Sequence, residues 1–409
     1  MSELNLWLEH VKWTPLGTQT NSKAPNKYVE GVYPRLAESG TGCKLTAANG
    51  REYIDYIAGL GCISLGYNNE YVNNSVIQQL KKGVSFSLPT LLESQVSQAL
   101  CQRVPSTDMW KFTKTGSDAD SMAIKAARAY TKRNKIMVLG YHGWHDWYSI
   151  VNDKKLGIPG AMADNVIKAR YDKSEDVKRL EQFDIAAVIM EPMVFDRPST
   201  GYLDYLRHMC SKTGTLLIWD EVVTGGRFEN FVAQNYFGIR PDLTVLSKGI
   251  ANGFPLAAIG GPKAFMSVFE HDDFFASTTF GGECIGLAAC LATLEEIDRT
   301  ITQTVANGEL IERAFNTMFE GDAICKGYPT RTTFDFPTKT HKALFWQECA
   351  KDGVLFGYSN FIMAAHGLDE VSYTLGVMEK AAHFLKKNWK EPIWKLEGRL
   401  PVEPLRMRT

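Results

Sequence analysis

A lysine at the end of an apolar run is the residue of this sequence best placed for covalent chemistry. Lys248 follows the run Leu243–Ser247 and precedes Gly-Ile-Ala-Asn-Gly. The run predicts a strand, so we expect the lysine amine at the mouth of a sheet. A lysine amine that loses its proton in an apolar pocket or beside another cation can form a Schiff base with an aldehyde. The alternative is an exposed lysine that only closes a strand, which is the usual position of lysine.

A carboxylate at another strand end could work with this amine. Asp220 follows the apolar run Leu216–Trp219, and Val222 lies two positions further on. A carboxylate beside a protonated ring nitrogen keeps that nitrogen charged and makes the ring an electron sink, while a valine can pack against the ring face. The alternative interpretation of Asp220 is a helix cap or a surface ion pair.

Two hydroxyl-rich turns could bind an anion. The first, Thr115-Gly116-Ser117, precedes a predicted helix, and the free backbone N–H groups of a helix N-terminus attract anions. Its alternative is an ordinary helix cap. The second, at 277–282, contains Thr279 and offers a further phosphate ligand, unless it is a plain glycine turn.

The segment 141–147 is rich in aromatic and histidine side chains and follows a predicted strand. It offers a flat aromatic platform that begins with Tyr141. His142 and His145 could suggest a metal site, but the third ligand and the glutamate of a helical zinc motif are missing. We therefore predict that this segment binds no metal.

The predicted elements would bring these groups together. From Trp110 onward, short apolar strands alternate with amphipathic helices, which is typical of a parallel sheet covered on both faces. Ligands bind outside the carboxyl ends of the strands in such sheets, where Asp220 and Lys248 both fall. Upstream, Asn49-Gly50 between two strand-like runs predicts a β-hairpin. The predicted strands are 110–113, 135–139, 185–190, 216–219, 243–247 and 256–260, and the predicted helices are 71–82, 91–103, a helix ending at 128 and 203–212.

Composition argues against several classes of function. The chain has 409 residues and a net charge of −1, which gives no electrostatic reason to expect nucleic acid or an anionic membrane surface as a partner. Its N-terminus lacks the basic start and apolar core of a signal peptide, and no apolar run approaches the ~20 residues that span a bilayer. The 8 scattered cysteines include no Cys-x-x-Cys pair, so we expect reduced thiols in a cytoplasmic protein.

Together, the anion-binding helix start, the aromatic platform, the strand-end acid and the strand-end lysine are the groups needed to bind pyridoxal 5'-phosphate. The chain resembles the class III (subgroup II) aminotransferases of fold type I, and among them the glutamate-1-semialdehyde aminomutase-like branch. The resemblance covers nearly the whole chain. It rests on motifs in a fixed order, at 53–56, 65–67, 115–118, 140–143, 191–192, 220–222, 241–243, 248, 279–282 and 365–366.

The resemblance implies a role for each matching position. Lys248 would hold the cofactor as a Schiff base and shuttle a proton, and Asp220 would pair with the pyridine nitrogen. Val222 and Tyr141 would pack on opposite faces of the ring. The other implied cofactor-binding residues are Gly116 and Ser117 at the phosphate, His142, Glu191 near the ring, and Thr279, which would reach the phosphate from the neighbouring subunit of a homodimer with shared active sites.

The resemblance also implies the fold. It is the α/β fold of the fold type I pyridoxal-phosphate-dependent transferases, with a mostly parallel central sheet in a large domain and a smaller α+β domain built from both termini. We expect an N-terminal segment of the small domain over 1–48, the large cofactor-binding domain over 49–290 and the C-terminal small domain over 291–409.

Three departures from the aminomutase pattern fall where a substrate should lie. Aminomutases carry an arginine in the N-terminal segment, where Lys27 is the nearest cation here, and a lysine cannot bind a carboxylate in bidentate fashion. The loop 359–366 is shorter and has no glutamate, and Asp196 replaces an asparagine. Since the cofactor positions are intact, we expect the same cofactor chemistry on a different substrate.

The leading hypothesis is an aminotransferase with ping-pong chemistry. It would move an amino group from a small-molecule amino donor to a carbonyl acceptor, and relatives of this kind suggest a sugar or another specialised metabolite as the acceptor. One alternative is an aminomutase, which would need no external donor. The other is a non-catalytic relative that binds the cofactor.

Overall fold

The computed structural model describes residues 3–403. The strands are β1 (Ala37–Thr41), β2 (Lys44–Ala47), β3 (Glu52–Asp55), β4 (Met109–Thr113), β5 (Lys135–Leu139), β6 (Val166–Lys168), β7 (Ile185–Met190), β8 (Leu216–Asp220), β9 (Leu243–Leu246), β10 (Ala257–Gly261), β11 (Ile324–Tyr328), β12 (Arg331–Asp335), β13 (Val354–Leu355) and β14 (Asn360–Phe361). The α-helices are α1 (Glu3–His10), α2 (Ala58–Gly61), α3 (Glu70–Leu80), α4 (Leu91–Arg103), α5 (Gly116–Thr131), α6 (Asp146–Ser149), α7 (Ser174–Val177), α8 (Tyr202–Thr213), α9 (Ala233–Phe237), α10 (Lys263–Met266), α11 (Cys284–Phe319), α12 (Lys339–Lys351) and α13 (Leu368–Lys387).

The chain divides into two compact units. One contains the described residues up to Glu70 together with those from Arg299 onward, and the other runs from Tyr71 to Asp298. Both termini therefore contribute to the first unit, and the second is formed by one continuous stretch. The domain boundaries expected from the sequence lie between residues 48 and 49 and between residues 290 and 291, whereas the two units are divided after Glu70 and after Asp298.

The continuous unit is built around a seven-stranded sheet with the order β4-β10-β9-β8-β7-β5-β6. The pairs from β9 to β6 are parallel, and β10 is antiparallel to both of its neighbours. The mostly parallel central sheet predicted from the sequence is thus confirmed. Because β7, β8 and β9 are adjacent and parallel, their carboxyl ends lie at one edge of the sheet.

Helix α5 packs its small apolar side chains against this sheet. Ala119, Ala123 and Ala127 are fully buried in one cluster with Ile136 of β5 and Ile218 of β8. Alanine lets the helix backbone approach the strands closely, and each fully buried isoleucine contributes about 1.5–3 kcal/mol. This packing fixes the N-terminus of α5 relative to the strand ends.

The other unit contains two small sheets, with the orders β1-β2-β3-β13 and β11-β12-β14. The predicted hairpin is present, because β2 and β3 pair antiparallel with Lys44 opposite Ile54. Gly50 has φ +79°, the left-handed conformation that glycine adopts easily in such a turn. A stacked pair, Phe315 and Phe334 with ring centroids 4.2 Å apart, lies in the core of this unit.

Among the described helices, none combines the length and the apolar character needed to cross a membrane.

Candidate active site

Lys248 lies directly beyond the carboxyl end of β9, at the start of the 3-10 turn Lys248–Ala251. Its φ is +50°, in the left-handed region that a residue with a side chain rarely adopts. Its charge acts on the buried acid Asp120 of α5. The structure thus places the lysine at the strand edge that the sequence predicts, close to the start of α5.

Asp220 is the last residue of β8 and is 4% exposed. Its Oδ1 accepts the backbone N–H of Val222 at 3.0 Å, and its Oδ2 lies 2.7 Å from Nδ1 of His142. The other imidazole nitrogen, Nε2, donates to the carbonyl oxygen of Leu139 at 3.0 Å. Asp220 is therefore held in one orientation by two neighbours, His142 and the Val222 amide.

The adjacent acid, Glu221, has a different role. It is fully buried, and its carboxylate accepts the backbone N–H groups of Ala233 at 2.7 Å and Gln234 at 3.0 Å, and the hydroxyl of Thr224 at 2.8 Å. Burial raises the pKa of Glu221, and these hydrogen bonds oppose the rise. All these partners belong to the segment after β8, so Glu221 holds that segment in place and leaves Asp220 as the acid available to a ligand.

The start of α5 meets Val222 and the loop after β5. Thr115 caps the helix by accepting the N–H of Asp118 at 3.2 Å. A Cβ at Gly116 would lie 2.9 Å from Cγ2 of Val222, and a Cβ at Gly143 would lie 2.0 Å from Oγ of Ser117. The glycines therefore allow three chain segments to converge at the start of the helix, where free N–H groups can attract an anion.

Glu191 and the aromatic segment adjoin the same region. Oε2 of Glu191 accepts the backbone N–H of Tyr141 at 3.1 Å, which fixes the turn after β5. The ring of Tyr141 packs edge-on against Tyr148 with centroids 5.6 Å apart. His145 bonds to Ser121 at 2.6 Å, so the two histidines of this segment contact different partners.

Asp120 was not identified as a site residue in the sequence. It is 2% exposed, and one of its carboxyl oxygens, a ring nitrogen of His142 and a carboxyl oxygen of Asp220 all lie within 4.8 Å of one another. Burial, and then the charge of Asp220, raise the pKa of Asp120 well above its usual range, while Lys248 opposes the rise. An acid among the apolar positions of α5 is the signal that could have revealed it.

The sequence also singles out Thr279 and Lys27. Thr279 is exposed on the loop before α11, as it would be if it served a neighbouring subunit. Lys27 is 6% exposed in the other unit, where its Nζ donates to the carbonyl oxygen of Glu403 at 3.4 Å.

The residues at this edge of the sheet fit pyridoxal phosphate. The helix start has the narrow, glycine-lined geometry and free N–H groups that suit a phosphate. The buried carboxylate of Asp220 suits a protonated ring nitrogen, and Lys248 supplies an amine for the aldehyde. Acid, amine and helix start all belong to one compact unit.

Comparisons with known proteins show the family to which this chain belongs. Residues 27–320 match the family model of class III aminotransferases. The chain is 34% identical over 312 residues to the 3-aminobutyryl-CoA aminotransferase of Cloacimonas acidaminovorans, covering 73% of this chain and 74% of the relative. It is 32% identical over 417 residues to glutamate-1-semialdehyde 2,1-aminomutase 2 of Geobacillus kaustophilus, covering 91% and 96%.

Solved structures show the same fold at lower sequence identity. The internal aldimine form of the FumI protein of Sphingopyxis sp. MTA144 superposes with a TM-score of 0.88 at 23% identity, covering 98% of both chains. An omega-transaminase from Sphaerobacter thermophilus superposes with a TM-score of 0.86 at 24% identity, covering 93% of this chain and 97% of that one. This chain belongs to the class III aminotransferases, which are pyridoxal-phosphate-dependent enzymes of fold type I.

Proposed function

We propose that this protein is a transaminase that takes an amino group from a small-molecule amino donor and delivers it to a carbonyl acceptor in two half-reactions. The observation that carries the proposal is the convergence of Lys248, Asp220 and the start of α5 at one edge of the sheet. When bound there, pyridoxal phosphate supplies an electron-poor ring that stabilises negative charge at the substrate carbon.

We assign a separate role to each residue of the site. Lys248 Nζ would hold the cofactor covalently, and its amine would move a proton to and from the substrate carbon as a general acid–base. The Asp220 carboxylate, oriented by His142 and the Val222 amide, would hold the ring nitrogen in its charged form. We assign Val222 and Tyr141 to the ring faces, Gly116 and Ser117 to the phosphate, and Glu191 to the turn that carries Tyr141.

A half-reaction titration tests this function. The purified, cofactor-loaded protein is mixed in turn with glutamate, alanine and a panel of simple amines, while absorbance follows conversion of the cofactor and an assay detects the keto product. We expect one donor to convert the cofactor stoichiometrically with release of its keto acid. If no donor does so, and one substrate is isomerised without any donor, the transaminase assignment is wrong.

An aminomutase is the second candidate because several relatives that are 30–33% identical over 71% or more of this chain carry that activity in their names. The three sequence departures argue against this activity. In addition, Lys27, the cation nearest to the position of the aminomutase arginine, donates to the carbonyl oxygen of Glu403. Full turnover of glutamate-1-semialdehyde without added amino acid would favour the aminomutase. The acceptor of the proposed transaminase, whether a sugar, a thioester-linked β-keto acid or another carbonyl compound, is then found by screening.

We further propose a homodimer that shares its active sites. Large apolar side chains are exposed on two neighbouring segments of the continuous unit, with Leu88 77%, Leu91 79%, Phe275 77% and Phe280 58% exposed. The segments are adjacent because the N–H of Cys284 donates to the carbonyl oxygen of Val84 at 2.9 Å. Such a patch is typical of a surface covered by another subunit, and Thr279 lies within it.

A cytoplasmic location is part of the same proposal. All eight cysteines are free thiols, and six of them are buried. Buried, unpaired thiols in a chain of this size fit a reducing compartment.

A further inference from the structure

The buried acid Asp120 has no part in the function proposed above. It lies on α5 with its carboxyl group beside His142 and Asp220. Within residues 3–403, its Oδ1 atom is buried and has no hydrogen-bond partner. Nearly all buried polar atoms in proteins are paired, so this one requires an explanation.

The hydrogen bonds of His142 determine what it can offer Asp120. Nε2 lies 3.0 Å from the carbonyl oxygen of Leu139, which can only accept, so Nε2 carries a proton. Nδ1 lies 2.7 Å from Oδ2 of Asp220, a distance that requires one proton between them. Because both ring nitrogens are in use, His142 cannot accept a hydrogen bond from Asp120.

The two carboxyl groups have unlike surroundings. Asp220 is approached by His142 and by the Val222 amide, and donors of this kind favour the charged form. Asp120 is buried beside that charge, and both effects raise its pKa well above the ordinary range, with Lys248 opposing them. Two buried carboxyl groups this close do not both carry a charge, and Asp120, whose Oδ1 has no hydrogen bond to stabilise a charge, is the one that keeps its proton.

We propose that Asp120 is a positioning residue that, as a neutral carboxylic acid, donates its O–H to the carboxylate of Asp220. The bond forms directly after a small side-chain rotation, or through one water molecule. Within this cluster, the carboxylate of Asp220 is the group that can still accept a hydrogen bond, because both ring nitrogens of His142 are already occupied. A further donor stabilises the negative charge of Asp220 opposite the ring nitrogen, so this inference rests on the proposed pairing of Asp220 with the cofactor.

Three variants of the holoenzyme test the role of the donor. Asp120→Asn keeps the size and offers an N–H donor, Asp120→Leu keeps the approximate size without a donor, and Ile124→Leu on α5 controls for repacking of a buried side chain. The readouts are the dissociation constant of pyridoxal phosphate and the NMR signal of its isotope-labelled ring nitrogen. Thermal unfolding of each variant verifies that it is folded.

We expect Asp120→Asn and the control to bind the cofactor within about twofold of wild type and to keep its nitrogen signal. Asp120→Leu should bind about tenfold more weakly, which is the scale of one hydrogen bond to a charged group. Its nitrogen signal should move toward the unprotonated form. A folded Asp120→Leu with wild-type affinity and signal, or equal losses in both Asp120 variants, would overturn the proposal.

Infrared difference spectroscopy reads the protonation of Asp120 without reference to activity or to the folding of the leucine variant. Wild type minus Asp120→Asn should show the carbonyl stretch of a protonated carboxyl group at neutral pH. Carboxylate bands in its place, or a divalent metal bound stoichiometrically through Asp120, would contradict the neutral acid. Unchanged cofactor affinity and an unchanged nitrogen signal in Asp220→Asn would instead show that the role proposed for Asp220 is wrong. The infrared bands of Asp120 do not depend on that role, so the two failures can be distinguished.

Discussion

At the scale of single residues, the backbone of Lys248 is itself informative. A left-handed φ costs a residue with a side chain roughly 1–2 kcal/mol, and such strain persists where surrounding structure imposes it, most often at functional sites. Here φ is +50° at the junction between β9 and its 3-10 turn. The strained junction fixes where the lysine leaves the backbone, which suits an amine that must reach one atom of a ligand.

The first prediction concerns this amine. Lys248→Ala should abolish covalent attachment of the cofactor and lower turnover at least about a hundredfold, since it removes both the link and the general acid–base. Borohydride reduction followed by peptide mass spectrometry measures the attachment. The exposed Lys263 provides the control, and Lys263→Ala should behave as wild type. A cofactor adduct on another lysine in wild type would show that the assignment of Lys248 is wrong.

The second prediction separates the two neighbouring acids of the β8 end. Asp220→Asn should weaken cofactor binding about ten- to a hundredfold, because a hydrogen bond to a charged group is lost. Glu221→Gln should instead lower the thermal midpoint, since Glu221 holds the segment that carries Ala233 and Gln234, and should keep the absorbance of the bound cofactor. The opposite pattern would mean that Glu221 is the acid that serves the cofactor.

At the scale of elements, local sequence signals locate most strands and helices. The runs at 135–139 and 185–190 match β5 and β7, and the predicted helix 91–103 matches α4. Asn49-Gly50 correctly predicts the hairpin, and the Thr115 cap correctly predicts the start of α5. These features succeed because a turn, a cap or an apolar run depends on residues close together in the chain.

The cluster around Asp120 could not be predicted in the same way. Asp120, His142 and Asp220 are brought together by the order of β5, β7 and β8 in the sheet and by the position of α5 on its face. No local pattern encodes that order. A helical-face analysis of α5 would have marked Asp120 as an acid among buried alanines, without identifying its partners.

The third prediction concerns the link between β6 and α7. Arg170 donates to Asp176 from its backbone N–H at 2.8 Å and from its side chain at 2.9 Å, and these bonds lower the pKa of Asp176 to about 2. Because the folded pKa lies below the ordinary value of about 3.9, the stabilisation is present above about pH 4 and is lost as the pH falls toward 2.

Asp176→Asn should therefore lower the thermal midpoint most at pH 5–7, and its difference from wild type should shrink as the pH is reduced through about 4 toward 3. Glu175→Gln is the matched control, since Glu175 contacts the same arginine at 3.2 Å in a pair whose side chains are both more than 60% exposed, and such pairs contribute little. A difference that stays constant with pH would show that Asp176 acts without its charge.

At the scale of the whole molecule, the exposed position of Thr279 would connect assembly with catalysis in the proposed homodimer. Its loop carries the exposed side chains of Phe275 and Phe280. A phosphate ligand on such a surface can act only if another molecule brings a site to it. In the proposed homodimer, one contact between subunits would both cover the apolar patch and complete the shared site.

The last prediction tests that contact by mixing inactive subunits. Thr279→Ala subunits retain Lys248, and Lys248→Ala subunits retain Thr279. If Thr279 completes the partner's site, a mixed dimer combines both residues in one of its two sites. After dissociation and reassociation of an equal mixture, about half of the dimers are mixed, and each mixed dimer holds one intact site. Turnover should rise above the mean of the two parent preparations, and mass photometry should confirm dimers. Turnover equal to that mean, in a preparation with verified mixed dimers, would place Thr279 outside the partner's site and leave each subunit to build its site alone.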